Sequence, residues 1–148
     1  MDGMTDSKTR ALALLDRYVT FLDERQFDAW LDLFTEDAWY AMLLHKDFVA
    51  DNNMLAIGED KKRLAGRIEV GQNVERDLTT HLLSAVIASE KNGALDAFAN
   101  FAVIRRNQIL CSGRYHLLLA GEGEATKIRR CVAVLRNDVI HGTIYLPV

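Results

Sequence analysis

A single proline, Pro147, stands in 148 residues, and no Gly/Ser-rich or low-complexity tract interrupts them, so nothing in the sequence marks an internal boundary. The chain is expected to fold as one domain over residues 1–148. No apolar run approaches the ~20 residues that a membrane-spanning helix needs. The opening MDGMTDSKTR carries no apolar stretch of signal-peptide length. A cytoplasmic protein without a membrane partner is therefore expected. Cysteine is scarce too: Cys111 and Cys131 read as reduced core residues rather than as a disulfide framework. A strong charge of one sign is also missing, since the formal net charge is −3, and nothing attracts phosphate at long range. Nucleic acid is excluded as the main partner. What the chain has is 49% apolar and 26% charged residues, the make-up of a globular domain with a sizeable core.

Periodicity divides the chain. Ala11, Leu14, Leu15, Tyr18, Val19 and Leu22 recur at spacings of three and four and form one stripe of a helix, with Thr5, Asp6 or Ser7 as candidate caps. After the polar break Asp23-Glu24-Arg25-Gln26, the set Phe27, Trp30, Leu31 and Phe34 predicts a second short helix. A third runs from Glu59 to Val70, with Glu59 and Arg63 spaced for an ion pair and Gly71 placed to end it. Beyond residue 78 the period shifts toward two. Turn signals stand at Asn92-Gly93, Gly121-Glu122-Gly123 and Asn137-Asp138. They delimit strands over His81–Ser89, Leu95–Arg105, Leu110–Ala120, Ala125–Leu135 and Val139–Leu146, with a shorter one upstream at Ala38–Leu44. Strands of this length call for a strongly bent sheet. Helices followed by an antiparallel meander give an α+β fold in which the helices cover one concave face of a curved sheet. Within Leu95–Arg105, one face is wholly apolar (Leu95, Ala97, Ala99, Phe101, Val103) and is expected to meet the core, turning Asp96 and Asn100 away from it.

Motifs for chemistry are few. His45, His81, His116 and His141 are far apart, and neither cysteine has a histidine two or three positions on, so no metal-ligand or iron–sulfur spacing occurs. Gly121-Glu122-Gly123 reads as a turn, not a phosphate loop. Cys111-Ser112-Gly113 lies in a strand, where no helix N-terminus stabilises a thiolate. What remains is a polar set that a curved sheet could gather: Asp37, Tyr40, His45, His81, Asp96 and His116. In an apolar pocket an Asp or His can act as general base and a Tyr can donate to a developing oxyanion, which is the chemistry of isomerisation or dehydration. In the structural alternative, Asp37 ends the second helix, Tyr40 keeps its hydroxyl at the rim, and the histidines bond to backbone. The basic residues Arg105, Arg106, Arg114, Lys127, Arg129, Arg130 and Arg136 concentrate in the strand half, as a solvated sheet face or as an assembly surface, where Arg is enriched.

Four stretches carry a family resemblance. The run Phe27-Asp28-Ala29-Trp30-Leu31-Asp32-Leu33-Phe34-Thr35-Glu36-Asp37-Ala38-Trp39-Tyr40 resembles the segment after the first helix in the β (small) subunit of aromatic-ring-hydroxylating dioxygenases. Glu59 to Ile68 is similar to that family's acidic-start helix, and Thr79-Thr80-His81-Leu82-Leu83-Ser84-Ala85-Val86 to its Thr-x-His-Leu-x-Ser-Asn-Val strand, with Ala85 where the family usually has Asn. Arg129 to Leu135, with the tail His141 to Pro147, resembles the closing hairpin. The resemblance implies a cone-shaped α+β fold of the nuclear-transport-factor-2-like, or cystatin-like, type. It implies a non-catalytic subunit of an oxidoreductase of aromatic hydrocarbon catabolism, with no catalytic, cofactor-binding or metal residue of its own. The Rieske iron–sulfur cluster and mononuclear iron would sit in a larger α subunit, commonly in an α3β3 hexamer, and self-association as a trimer is compatible with it. Two other readings remain open at this point: a free-standing isomerase or dehydratase using Asp37, Tyr40 and His45 or His81, and a small-ligand-binding homodimer without chemistry.

Overall fold

In the computed structural model, which describes residues 3–52, 54–139 and 144–148, the first apolar stripe becomes the inner face of helix α1 (Gly3–Asp23). Ala11, Leu14, Leu15, Tyr18 and Leu22 on that stripe are all buried. Helix α2 (Phe27–Leu31) is shorter than its spacing predicts, because Phe34 already opens strand β1 (Phe34–Leu44). The Leu33 carbonyl is taken by the backbone N–H of Ile128 at 2.7 Å, so strand pairing captures the chain there. Phe34 still packs on Trp30, with ring centroids 4.7 Å apart, so helical spacing and a turn into a strand serve the same core.

Helix α3 (His45–Val49) and strand β2 (Leu55–Asp60) are not marked by the sequence pattern. Helix α4 spans Lys61–Val74, and Asp60, not Glu59, begins it: the Asp60 carboxylate accepts from the Arg63 N–H at 2.9 Å. Glu59 lies in β2, and its ion pair is with Arg67 at 2.5 Å rather than with Arg63. Gly71 does not end the helix. A Cβ there would come within 2.9 Å of the Tyr145 carbonyl, so the residue is small because the tail crosses against it.

Strands β3 (Thr79–Lys91), β4 (Ala94–Arg105), β5 (Gln108–Ala120) and β6 (Lys127–Leu135) form the expected antiparallel meander. Asn92 and Gly93, at φ 53° and 80°, make the β3–β4 turn with both central residues left-handed. Strand β1 pairs in parallel with β6 and antiparallel with β2, giving a six-stranded curved sheet in the order β2-β1-β6-β5-β4-β3. The strand expected over Val139–Leu146 is not present in its described residues. Pairing with β5 stops where the Asn137 side chain takes the Ser112 N–H. Residues 140–143, and with them His141, lie outside the described residues. The alternation in β4 and β5 sends Leu95, Ala97, Ala99, Phe101, Val103, Cys111, Tyr115, Leu117 and Leu119 onto the concave face beneath α1.

Candidate functional site

The curved sheet sorts the six polar candidates onto different faces. Only Tyr40 and His81 point into the cone, where both are buried. Asp37 is exposed on β1; its carboxyl is held below the usual range foremost by the Thr35 hydroxyl, 2.7 Å away, and its nearest cation is Arg129 at 4.0 Å. His45 is exposed at the start of α3. Asp96 lies on the outer sheet face, as the alternation requires, and so does His116, against the expectation that it lines the cavity. Tyr40 is not at the rim: its hydroxyl is fully inside.

His81 has a partner that the sequence pattern hides. Asp23, the last residue of α1, accepts from His81 Nδ1 at 2.6 Å, from the His81 backbone N–H at 2.9 Å and from the Thr79 hydroxyl at 2.9 Å. Burial pushes the Asp23 carboxyl up, and the bonds from His81 and Thr79 outweigh it and hold the group below its ordinary value. Asp23 follows Val19 by four positions, which places it at the edge of the apolar stripe. That spacing is the signal that could have found it.

The space between the sheet and α1 is filled by the chain itself. Tyr18 donates to the Val148 main-chain oxygen at 2.6 Å, Tyr40 donates to the same oxygen at 3.1 Å, and the Val148 N–H donates back to Tyr40 at 3.0 Å. Burial raises the Tyr18, Tyr40 and Tyr115 hydroxyls well above their usual range, so all three stay protonated. With Leu146 and Val148 in place, the cavity beside His81 has about 30 Å³, whereas small-molecule sites commonly have ~300 Å³ or more. The segment 144–148 thus occupies the space beside His81 and holds the Tyr40 hydroxyl.

The outer sheet face has the opposite character. Ile87, Phe98, His116, Val132 and Ala41 form one cross-strand row, and Asp96, Leu118, Arg130 and Trp39 the next. Phe48 of α3 leans over them, 5.0 Å from His116, while Phe98 approaches His116 at 4.9 Å and Arg114 stacks over Phe98 at 5.2 Å. Phe48, Phe98, His116, Leu118, Arg130 and Val132 line an open groove of about 340 Å³ on this face. Trp39 and Phe48 are about 40% exposed there (39% and 41%), unusual for side chains of that size. Burial, then Arg114, lowers the His116 pKa and keeps its ring neutral at pH 7. Exposed aromatics interleaved with arginine are the make-up of a protein interface. The basic set splits: Arg114 and Arg130 belong to this face, whereas Arg105 is tied to Glu75 at 2.7 Å and Arg106 to Asp77.

Among the described residues no three His, Cys, Asp or Glu side chains meet in a group that could hold a metal. Burial pushes the Cys111 and Cys131 thiols up to about 12, so neither offers a thiolate near neutral pH. The iron–sulfur cluster and mononuclear iron implied by the resemblance therefore find no fitting donor set in the described part of this chain.

A curved six-stranded sheet covered by helices on one face, with aromatic and arginine side chains on the other, is the cystatin-like fold. Residues 17–142 match the ring-hydroxylating β-subunit family, and the chain belongs to it. Among solved structures, one described as the β subunit of an aromatic-ring-hydroxylating dioxygenase from Novosphingobium aromaticivorans superposes with a TM-score of 0.79 at 19% identity, covering 92% of this chain and 93% of that one. The β subunit of benzoate 1,2-dioxygenase from Burkholderia mallei gives 0.71 at 23% identity, covering 91% and 93%. A protein described as a scytalone dehydratase, also from N. aromaticivorans, gives 0.72 at 16% identity, covering 95% and 94%, so the scaffold by itself does not fix the activity. No curated protein matches the sequence.

Proposed function

We propose that this chain is the structural β subunit of an aromatic-ring-hydroxylating dioxygenase, and that its outer sheet face receives the iron-bearing α subunit. The observation that carries the reading is the outer-face cluster of exposed Trp39, Phe48 and Arg130 with half-buried Phe98, at and beside the groove on β4, β5 and β6. An unpartnered surface of that composition is suited to burial, and family membership names the partner. The α subunit supplies the Rieske cluster and the mononuclear iron; this chain supplies a rigid platform and no reacting group. Three such chains in an α3β3 hexamer, self-associated as a trimer, complete the arrangement. The filled cone argues against the isomerase or dehydratase reading, because the candidate base and acid have no room for a substrate.

The test is a double substitution on the platform, Phe98→Glu with Arg130→Glu, in a chain co-expressed with its α subunit. Both side chains lie outside the core, so the isolated variant is expected to keep the wild-type circular dichroism and unfolding midpoint while the α subunit no longer co-purifies. A variant that still assembles at wild-type yield would place the contact elsewhere.

A further inference from the structure

One cross-strand row runs unbroken over all six strands of the outer face: Ser89, Asp96, Leu118, Arg130, Trp39 and Asp60 stand opposite one another in turn. Neighbours in such a row lie about 5 Å apart, which puts the Cα atoms of Asp96 and Arg130 about 10 Å apart with Leu118 between them. The two opposite charges do not meet. Among the described residues neither side chain has an ion pair or a hydrogen bond. Neighbouring charges are spent within the chain: Arg105 on Glu75, Arg106 on Asp77, Arg129 near Asp37, and Asp60 on the start of α4. Arg114 stacks over Phe98, two rows away. Asp96 is half-buried, so its carboxylate gives up hydration with no partner to offset the loss, and Arg130 is exposed beside Trp39. Charges on an open sheet face also keep it soluble, but that task does not depend on which sign stands on which strand.

We propose that the partner reads this row by its charge order. The surface of the α subunit that covers it presents a basic side chain to Asp96, an apolar one to Leu118 and a carboxylate to Arg130, with an apolar contact on Trp39. The inference rests on the docking reading above and adds orientation to it. Burial of Phe98, Leu118 and Val132 is attractive but has no direction, so the apolar floor by itself accepts a partner turned end for end. Two opposite charges about 10 Å apart remove that freedom: the reversed pose sets like charges against each other at both positions, in a contact where lost water makes repulsion costly.

The test compares a swapped pair, Asp96→Arg with Arg130→Asp, against a neutral pair, Asp96→Asn with Arg130→Gln, in the full-length chain. Affinity for the purified α subunit is measured for each, after circular dichroism has checked the fold. The swap keeps both charges and the net charge, so solubility is expected to stay as it is. The neutral pair is expected to bind about tenfold more weakly than the unaltered chain, and the swapped pair about a hundredfold or more. A swapped pair that binds as well as the neutral one overturns the inference, while docking on the outer face still stands if Phe98→Glu with Arg130→Glu blocks it. An unaltered chain that never binds the α subunit overturns both. If the swap abolishes self-association of the isolated chain and leaves the α subunit bound, the row meets a second copy and the inference fails. A further arm needs no variant: raising the salt from about 0.05 to 0.5 M is expected to weaken the unaltered pair several-fold, and indifference to salt would count against the charge order.

Discussion

Ala85 is the clearest local misfit. It lies in the irregularity of β3 between Ser84 and Ile87 with φ 52°, a left-handed conformation that costs an ordinary L-residue ~1 kcal/mol or more. The resembling family usually places Asn there, a residue that tolerates this region, so the departure noted in the sequence falls on a strained position. Because Ala85 is exposed, little packing is at stake. Ala85→Gly and Ala85→Asn are each expected to raise stability by about 0.5–1 kcal/mol, read as a higher thermal midpoint. Asp23 supplies a second prediction at this scale. Its carboxyl titrates lower in the folded chain than in the unfolded one, so the Asp23–His81 bonds contribute fully above the ordinary carboxyl range, ~4, and are lost as pH falls through the depressed value. Urea midpoints measured from pH 6 down to pH 2.5 should show this loss, and Asp23→Asn should lower the midpoint at pH 7 and flatten the acid slope. At this scale the sequence was half legible. His81 and Tyr40 stand out as polar residues in an apolar context, but which of six candidates share a chamber depends on strand parity and sheet curvature, which no single residue reveals.

At the scale of elements, hydrophobic period was a sound guide wherever an element has one buried face. The α1 stripe and the alternation in β4 and β5 were legible for that reason. The pattern failed where tertiary pairing decided the matter: Phe34 fits a helical spacing yet enters β1, β2 has only Ile57 fully buried, and Gly71 looks like a helix terminator but is a crossing point. Two glycines of α4 make the last point testable. Gly66 has open space around its Cβ position, so Gly66→Ala is expected to stabilise by about 0.5–1 kcal/mol through helix preference alone. Gly71→Ala makes the same gain in preference but drives a methyl group against the Tyr145 carbonyl and Leu146, and a net loss of about 1–2 kcal/mol is expected. Opposite signs in denaturant melts of the two variants would confirm that the tail packs on this helix; equal signs would show that it does not.

For the molecule as a whole, the division of labour between the two sheet faces is the main result. The concave face is spent on α1 and the tail, and the outer face carries exposed Trp39 and Arg130 with half-buried Phe98 and Leu118. The outer face was legible only in its charge: the basic bias of the strand half left a solvated face and an assembly surface both open, and the aromatic rings beside Arg114 and Arg130 come from β1, α3, β4 and β5 and meet only in the folded sheet. The measurement that bears most directly on this account is co-expression of the chain with its α subunit, followed by sizing and iron analysis of the purified material. A stable complex of the two subunits is predicted, with the iron bound by α and absent from the chain when it is purified alone. An α subunit that assembles and holds its full iron content without ever associating with this chain would contradict it.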